Sequence, residues 1–109
     1  MLFLKNDYSL GAHPAVLDAL VQTNMVYADG YGMDDFCRTA AEMILARTGC
    51  KNGEVHFLPG GTQTNMTAIA AFLRPHEAVI SPETGHICCH ETGAIEATGH
   101  KIEYASTPD

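Results

Sequence analysis

An alternation of strand-like and helix-like segments in the second half of the chain constrains the fold more than any other feature. Three strands are predicted. Two are short apolar runs, Val55–Leu58 and Ala78–Ser81, and the third is an alternating run, Lys101–Ala105. Apolar residues at helical spacing predict a helix that Pro75 ends, and a second helix is expected over about residues 87–98. The order strand, helix, strand, helix, strand predicts a parallel α/β sheet flanked by helices.

The first half of the chain predicts two helices in succession. Pro14 suits the first position of a helix that ends near Asn24. Asp34 or Asp35 suits the N-cap of a second helix, and Gly49 suits the residue that ends it. Both helices precede the first predicted strand.

These patterns divide the chain into two parts. Residues 1–52 are expected to hold an N-terminal arm and two helices, and residues 53–109 the start of the α/β domain, within one structural unit. The chain stops at Asp109 directly after a strand, and three strands form a thin sheet with an open edge. We therefore expect this unit to be a truncated portion of a larger fold.

Composition and charge exclude several classes of function. Thirteen acidic against six basic side chains give a formal net charge of −7, which opposes binding to a nucleic-acid backbone. No apolar stretch is long enough to cross a bilayer, and the first residues lack the layout of a signal peptide. The four cysteines form no C-x-x-C pair. We expect a cytoplasmic protein with reduced thiols that binds neither nucleic acid nor membrane.

Two glycines stand where the first predicted strand gives way to a helix. The carboxyl end of a parallel strand is where ligands gather, and the first amides of a helix bind anions. Gly60 and Gly61 let a phosphate approach the backbone, and Thr62 can add a hydroxyl donor. The alternative is a tight turn in which Thr62 or Thr64 caps the helix and Asn65 bonds nearby backbone.

His86 follows the next predicted strand, so its imidazole can project over the same edge of the sheet. There it could stack on a planar ligand. The alternative is a histidine that lines or caps the start of a helix.

A metal site is not expected, although His86 lies in a run of potential ligands. His90 and Glu91 are not followed by the histidine that the H-E-x-x-H pattern requires. Cys88 and Cys89 are expected to pack as small apolar groups, and Glu91 is expected to be a solvated helix residue or a cap.

The chain resembles the N-terminal part of a threonine aldolase, a member of the β-eliminating lyases that depend on pyridoxal 5′-phosphate (PLP). The resemblance runs from about Phe3 to the end of the chain. Its marks are, in chain order, Asn6-Asp7, Gly11 to Pro14, Tyr31-Gly32 with Asp34, Phe57 to Asn65, Leu73 to Pro75, Gly85-His86 and Glu91 to Ala94. The resemblance implies the start of the large domain of the PLP-dependent transferases of fold type I, the aspartate aminotransferase fold.

This resemblance also implies roles for individual residues. The loop that binds the PLP phosphate falls on Gly61 and Thr62, with Gly60 beside them. The histidine that stacks on the cofactor ring, a candidate base and so the predicted catalytic residue, falls on His86. Asn6 takes a substrate-binding position where the family generally has serine, and Tyr31 takes a position near an active site that often crosses a subunit boundary.

The implied reaction is cleavage of a threonine-like β-hydroxy-α-amino acid to glycine and an aldehyde, in a homo-oligomer such as a dimer or tetramer. Lys5, Lys51 and Lys101 match no Schiff-base position, so the chain alone is expected to be inactive. The alternatives are another PLP-dependent β-eliminating lyase or an aminotransferase, and a non-catalytic α/β module that binds anions.

Overall fold

The computed structural model describes residue 6 and residues 8–106 and divides the chain into two compact units, Met1–Glu54 and Val55–Asp109. Phe3, Lys5, Asp7 and Asp109, which figured in the predictions above, lie outside the described residues. No helix in the described part of the chain is long and apolar enough to cross a membrane.

The first unit contains the two predicted helices. Helix α1 is Pro14–Thr23, and the Nδ1 atom of its N-cap residue, His13, accepts a hydrogen bond from the amide of Ala15. Helix α2 is Asp35–Thr48, and it ends at Gly49 in the left-handed conformation, with φ 68°. Both predicted helices are confirmed.

Asp34 is the N-cap of α2. Its Oδ1 atom accepts a hydrogen bond of 2.9 Å from the amide of Cys37. Hydrogen bonds from the Cys37 thiol and amide stabilise the ionised carboxylate and lower the pKa of Asp34. The same contact raises the pKa of the Cys37 thiol, because the hydrogen bond to Asp34 stabilises the protonated thiol and the carboxylate would repel a thiolate.

The second unit contains a two-stranded parallel sheet. Helix α3 is Gly61–Phe72, strand β1 is Ala78–Pro82 and strand β2 is Lys101–Ala105. The strands pair in parallel, with Val79 opposite Ile102. The predicted parallel α/β arrangement is therefore present, and a crossover segment joins β1 to β2.

Two isoleucines form the buried apolar centre of the described part of this unit. Ile95 lies in the crossover and is fully buried, while Ile102 in β2 is 2% exposed. Ile102 is the one buried residue of β2, which is consistent with a strand that packs one face on the crossover.

Two predictions for the second unit are wrong. Val55–Leu58 is not a strand, because no described segment pairs with it, and the sheet has two strands instead of three. The expected helix over residues 87–98 is broken into a single turn, α4 at His86–Cys89, and a 3-10 helix at Glu96–Thr98. The break coincides with Thr92 and Gly93, whose φ angles of 46° and 78° are left-handed and incompatible with a continuous helix.

Candidate functional site

The N-terminus of α3 has the features of an anion-binding site. Gly60 is its N-cap in an extended conformation, and no side chain of the described residues caps it. The first amides of a helix have no partner within the helix, so those of Gly61 and Thr62 can donate to a ligand. A Cβ atom at Gly60 or Gly61 would meet no described atom within 4 Å, so the space in front of this backbone is open.

Thr64 does not cap α3, contrary to the tight-turn interpretation. Its hydroxyl donates a hydrogen bond of 2.9 Å to the carbonyl oxygen of Gly60, and its amide donates to the same oxygen at 3.0 Å. Thr62 is half-buried in the first turn and does not cap the helix either. Neither threonine side chain therefore accepts a hydrogen bond from the free amides at the start of α3.

A tight turn after β1 sets the position of His86. The amide of Gly85 donates a 2.8 Å hydrogen bond to the carbonyl oxygen of Pro82. A Cβ atom at Gly85 would clash with the Ser81 hydroxyl and would lie 2.9 Å from that carbonyl oxygen, so glycine is required there. His86 begins α4 directly after this turn, and its side chain is 65% exposed.

Glu91 is the buried residue that the sequence did not reveal. Its side chain has no exposed surface, so the expectation of a solvated helix residue is wrong. The chain leaves the helical path after α4, and His90 adopts φ −127° and ψ −2°. The left-handed conformations of Thr92 and Gly93 follow. Glu91 therefore lies inside the turn rather than on the outer face of a helix.

Two side chains lie within hydrogen-bond distance of one oxygen of Glu91. The Nδ2 atom of Asn65 lies 2.6 Å from Oε1, and the Nδ1 atom of His86 lies 2.8 Å from the same oxygen. The other oxygen, Oε2, is buried and has no hydrogen-bond partner among the described residues. Burying a carboxylate is costly unless donors compensate its charge, so these two contacts stabilise the cluster.

This cluster joins the two predicted parts of the site. Asn65 lies in α3 four residues after Gly61, so the two share a helix face about 6 Å apart along the axis. Asn65 contacts Glu91, and Glu91 contacts His86. The structure thus connects the first turns of α3 to the imidazole. The expectation that Asn65 would bond nearby backbone is wrong.

The sequence carried a weak signal for this cluster. Thr92-Gly93 marks a turn, and a turn directly after Glu91 could have removed that residue from a regular helix. The pairing of Asn65 with Glu91 spans 26 positions and has no local signal.

The rings of His86 and His90 lie side by side, with centroids 5.2 Å apart and planes inclined by 53°. No group of three or more potential metal ligands gathers within the described residues. Cys89 is exposed, and its thiol donates to the carbonyl oxygen of Glu83 at 2.9 Å, so the expectation that both adjacent cysteines pack as apolar groups is wrong for Cys89.

Asn6 and Tyr31 belong to the first unit. The Oδ1 atom of Asn6 accepts hydrogen bonds from the Tyr8 amide at 3.2 Å and from the Ser9 hydroxyl at 2.6 Å, so its side chain is held in a local polar turn. Tyr31 has a left-handed φ of 61° and a fully exposed side chain. That conformation is strained for a residue with a side chain. The substrate roles of both residues stay predictions.

Comparisons with known proteins agree on one family. The family model described as beta-eliminating lyase matches residues 5–106. The low specificity L-threonine aldolase of Pseudomonas aeruginosa is 33% identical over 96% of this chain, and that of a Pseudomonas species is 32% identical over 92%. The chain spans 30% and 29% of the lengths of these two relatives.

The structural comparison gives the same result. The solved structure of Leishmania major threonine aldolase is 52% identical, covers 95% of this chain and has a TM-score of 0.90, and the chain spans 30% of that structure. These matches confirm the resemblance to threonine aldolases. They also confirm the predicted fold, a portion of the PLP-dependent transferase fold of type I.

Proposed function

Because this chain belongs to the beta-eliminating lyase family, we propose that it is part of a PLP-dependent aldolase. The proposed reaction cleaves a threonine-like β-hydroxy-α-amino acid to glycine and an aldehyde. The observation that carries this proposal is the uncapped N-terminus of α3, connected through Asn65 and Glu91 to an exposed His86.

The residues at the start of α3 fit a phosphate group. The amides of Gly61 and Thr62 and the Thr62 hydroxyl supply donors, and the helix dipole adds a positive partial charge. Gly60 and Gly61 leave the space in front of the backbone open. The −7 net charge of the chain makes such local donors necessary for an anion to bind.

His86 fits the second part of the cofactor site. Its ring is held at one edge by Glu91 and lies beside the ring of His90, and 65% of the side chain is exposed, so the ring can stack on a planar ligand. With Nδ1 donating to the carboxylate, Nε2 is an acceptor that can take a proton from a substrate hydroxyl. Bound PLP would supply an electron sink for the bond broken at the substrate Cα.

The remaining roles follow from the family. Asn6 and Tyr31 contribute to substrate binding, and the protein is a cytoplasmic homo-oligomer. Residues 1–52 hold the arm and two helices, and residues 53–109 hold the start of the PLP-binding domain. Lys5, Lys51 and Lys101 do not bind the cofactor covalently. The chain by itself is therefore inactive.

The first experiment asks whether the reading frame continues beyond Asp109. Sequencing the source gene beyond the Asp109 codon tests whether the frame continues to a lysine that follows a strand. Such a continuation supports the enzyme, whereas a stop codon contradicts it and favours a non-catalytic anion-binding module.

The second experiment measures the reaction of the complete protein. Incubation with PLP and threonine is expected to release glycine and acetaldehyde in equal amounts. Formation of a keto acid would indicate an aminotransferase instead. No product and no cofactor absorbance would contradict the proposal.

A glycine substitution tests the phosphate site directly. Gly61→Ala is expected to weaken PLP binding about tenfold or more, because the new Cβ enters the space proposed for the phosphate. Stability is expected to be unchanged or slightly higher, since alanine favours a helix and meets no neighbouring atom. Gly11→Ala is the control, because Gly11 also has open space and its φ is not left-handed. Equal PLP affinity in both variants would contradict the site.

A further inference from the structure

We infer that Glu91 is a positioning residue for His86, which keeps the proton of the neutral imidazole on Nδ1 and leaves Nε2 bare. The contact between Glu91 and His86 does not depend on any cofactor, whereas the purpose of positioning His86 rests on the proposed cofactor site.

The direction of the hydrogen bond follows from the chemistry of the two groups. An ionised carboxylate can only accept, so the His86 Nδ1 atom, 2.8 Å from Oε1, must carry the hydrogen. The tautomer of a histidine is set by the hydrogen bond that one of its nitrogens makes. A neutral His86 therefore presents Nε2 as an acceptor.

The surroundings of Glu91 make this contact strong. The carboxylate has no exposed surface, so water does not compete for Oε1. A hydrogen bond to a charged group is stronger than one between neutral groups, and a water-excluded environment strengthens it further.

Asn65 holds Glu91 from the opposite element. Its amide donates to Oε1 at 2.6 Å from α3, the helix whose first turn is the proposed phosphate site. The imidazole is thus fixed relative to that turn through two hydrogen bonds, without a direct contact. A ring held in this way keeps its stacking face and its Nε2 acceptor in fixed directions before a ligand binds.

The test observes the ring nitrogens of His86 by nuclear magnetic resonance. The purified protein is labelled with ¹⁵N in its histidine rings and studied well above pH 6.5, the approximate pKa of free histidine, so that neutral rings dominate. A His86→Gln variant assigns the signals. We expect His86 to show a protonated Nδ1 and a bare Nε2.

Two variants remove the carboxylate. Glu91→Ala and Glu91→Leu, which leave no acceptor opposite Nδ1, are each expected to shift His86 mainly to the Nε2–H tautomer, which a free histidine side chain prefers. The leucine variant fills the buried site without a hydrogen-bond acceptor, so it remains informative if the alanine variant does not fold. Glu96→Gln is the matched control, since Glu96 is exposed in the same crossover segment, and the His76 signals are the internal reference.

The result that overturns the inference is clear. A protonated Nε2 in the unmodified protein, or an unchanged Nδ1–H in the folded leucine variant, would show that Glu91 does not set the tautomer. Failure of the unmodified protein to bind PLP would contradict the proposed function and leave the ring signals unchanged, so the two failures are distinguishable.

Discussion

The two units of this chain are stabilised in different ways. None of the described residues of Met1–Glu54 is buried, and its helices carry local signals such as the Asp34 cap and the Gly49 end. All the buried residues of the described chain lie in Val55–Asp109: Ser81, Glu91, Ile95, His100 and Ile102. The second unit is thus held by contacts between residues distant in sequence.

This difference explains where function can be found. A helix held by its own caps keeps its shape without a defined environment for any side chain. A residue such as Glu91 acquires a defined environment only when α3 and the crossover meet around it. The candidate cofactor site therefore lies in the second unit. Substitutions in the two units are expected to change the free energy of unfolding by different amounts.

The largest expected effect is the loss of a buried isoleucine. Ile95→Ala is expected to lower the free energy of unfolding by about 2–5 kcal/mol, because it removes a fully buried side chain and leaves a cavity. Chemical denaturation measures the change. Ile80→Ala is the control, since Ile80 in β1 is 75% exposed, and an equal loss in both variants would contradict the assigned core.

The buried polar cluster is expected to have the next largest effect. Asn65→Ala leaves the Glu91 carboxylate with one donor fewer and is expected to cost about 1–3 kcal/mol. The double variant with Glu91→Ala should cost less than the sum of the single variants, because the two side chains contact each other.

Glu96→Ala provides the comparison for this cluster. Glu96 is exposed, so its removal is expected to change the free energy of unfolding by no more than about 0.5 kcal/mol. Strict additivity of the Asn65 and Glu91 variants would show that their hydrogen bond contributes nothing.

The cap of α2 is expected to make helix content depend on acid pH. The pKa of Asp34 is below its ordinary value of 3.8, so the ionised cap favours the folded helix above that value. The stabilisation of α2 by the ionised Asp34 carboxylate is lost progressively as the pH falls below about 4 and then passes through the lowered pKa of Asp34. Circular dichroism of Asp34→Asn should lack this part of the transition, because asparagine caps a helix without titrating. An identical acid transition in both proteins would contradict the assignment.

The smallest effect is expected on the outer surface of α1. Leu20 is 60% exposed, so Leu20→Ala should change the free energy of unfolding of this chain by no more than about 0.5 kcal/mol. A loss as large as that of Ile95→Ala would show that this face is covered in solution, and it would remove the contrast between the two units.

The sequence predicted the elements that depend on neighbouring residues. Pro14 and Asp34 marked the starts of α1 and α2, and Gly49 marked the end of α2, because caps act within one turn. The strands β1 and β2 and their parallel pairing were also predicted, since their apolar runs are short and clearly bounded.

The sequence failed where the outcome depends on a distant partner. Val55–Leu58 has the composition of a strand, but a strand also requires a neighbour to pair with. Glu91 looked like a surface residue because nothing nearby in sequence announces Asn65 as its donor. Gly60, Gly61, Thr62 and His86 were predicted from position and resemblance, and their cofactor roles stay predictions.

The two-stranded sheet has a practical consequence for handling the protein. Each strand pairs with the other along one side only, so within the described residues both outer sides present unpaired backbone groups. Ile80 and Tyr104 add exposed apolar surface to the same strands. Purified at high concentration, this chain is expected to self-associate through strand addition, and dilute, cold storage should slow this self-association.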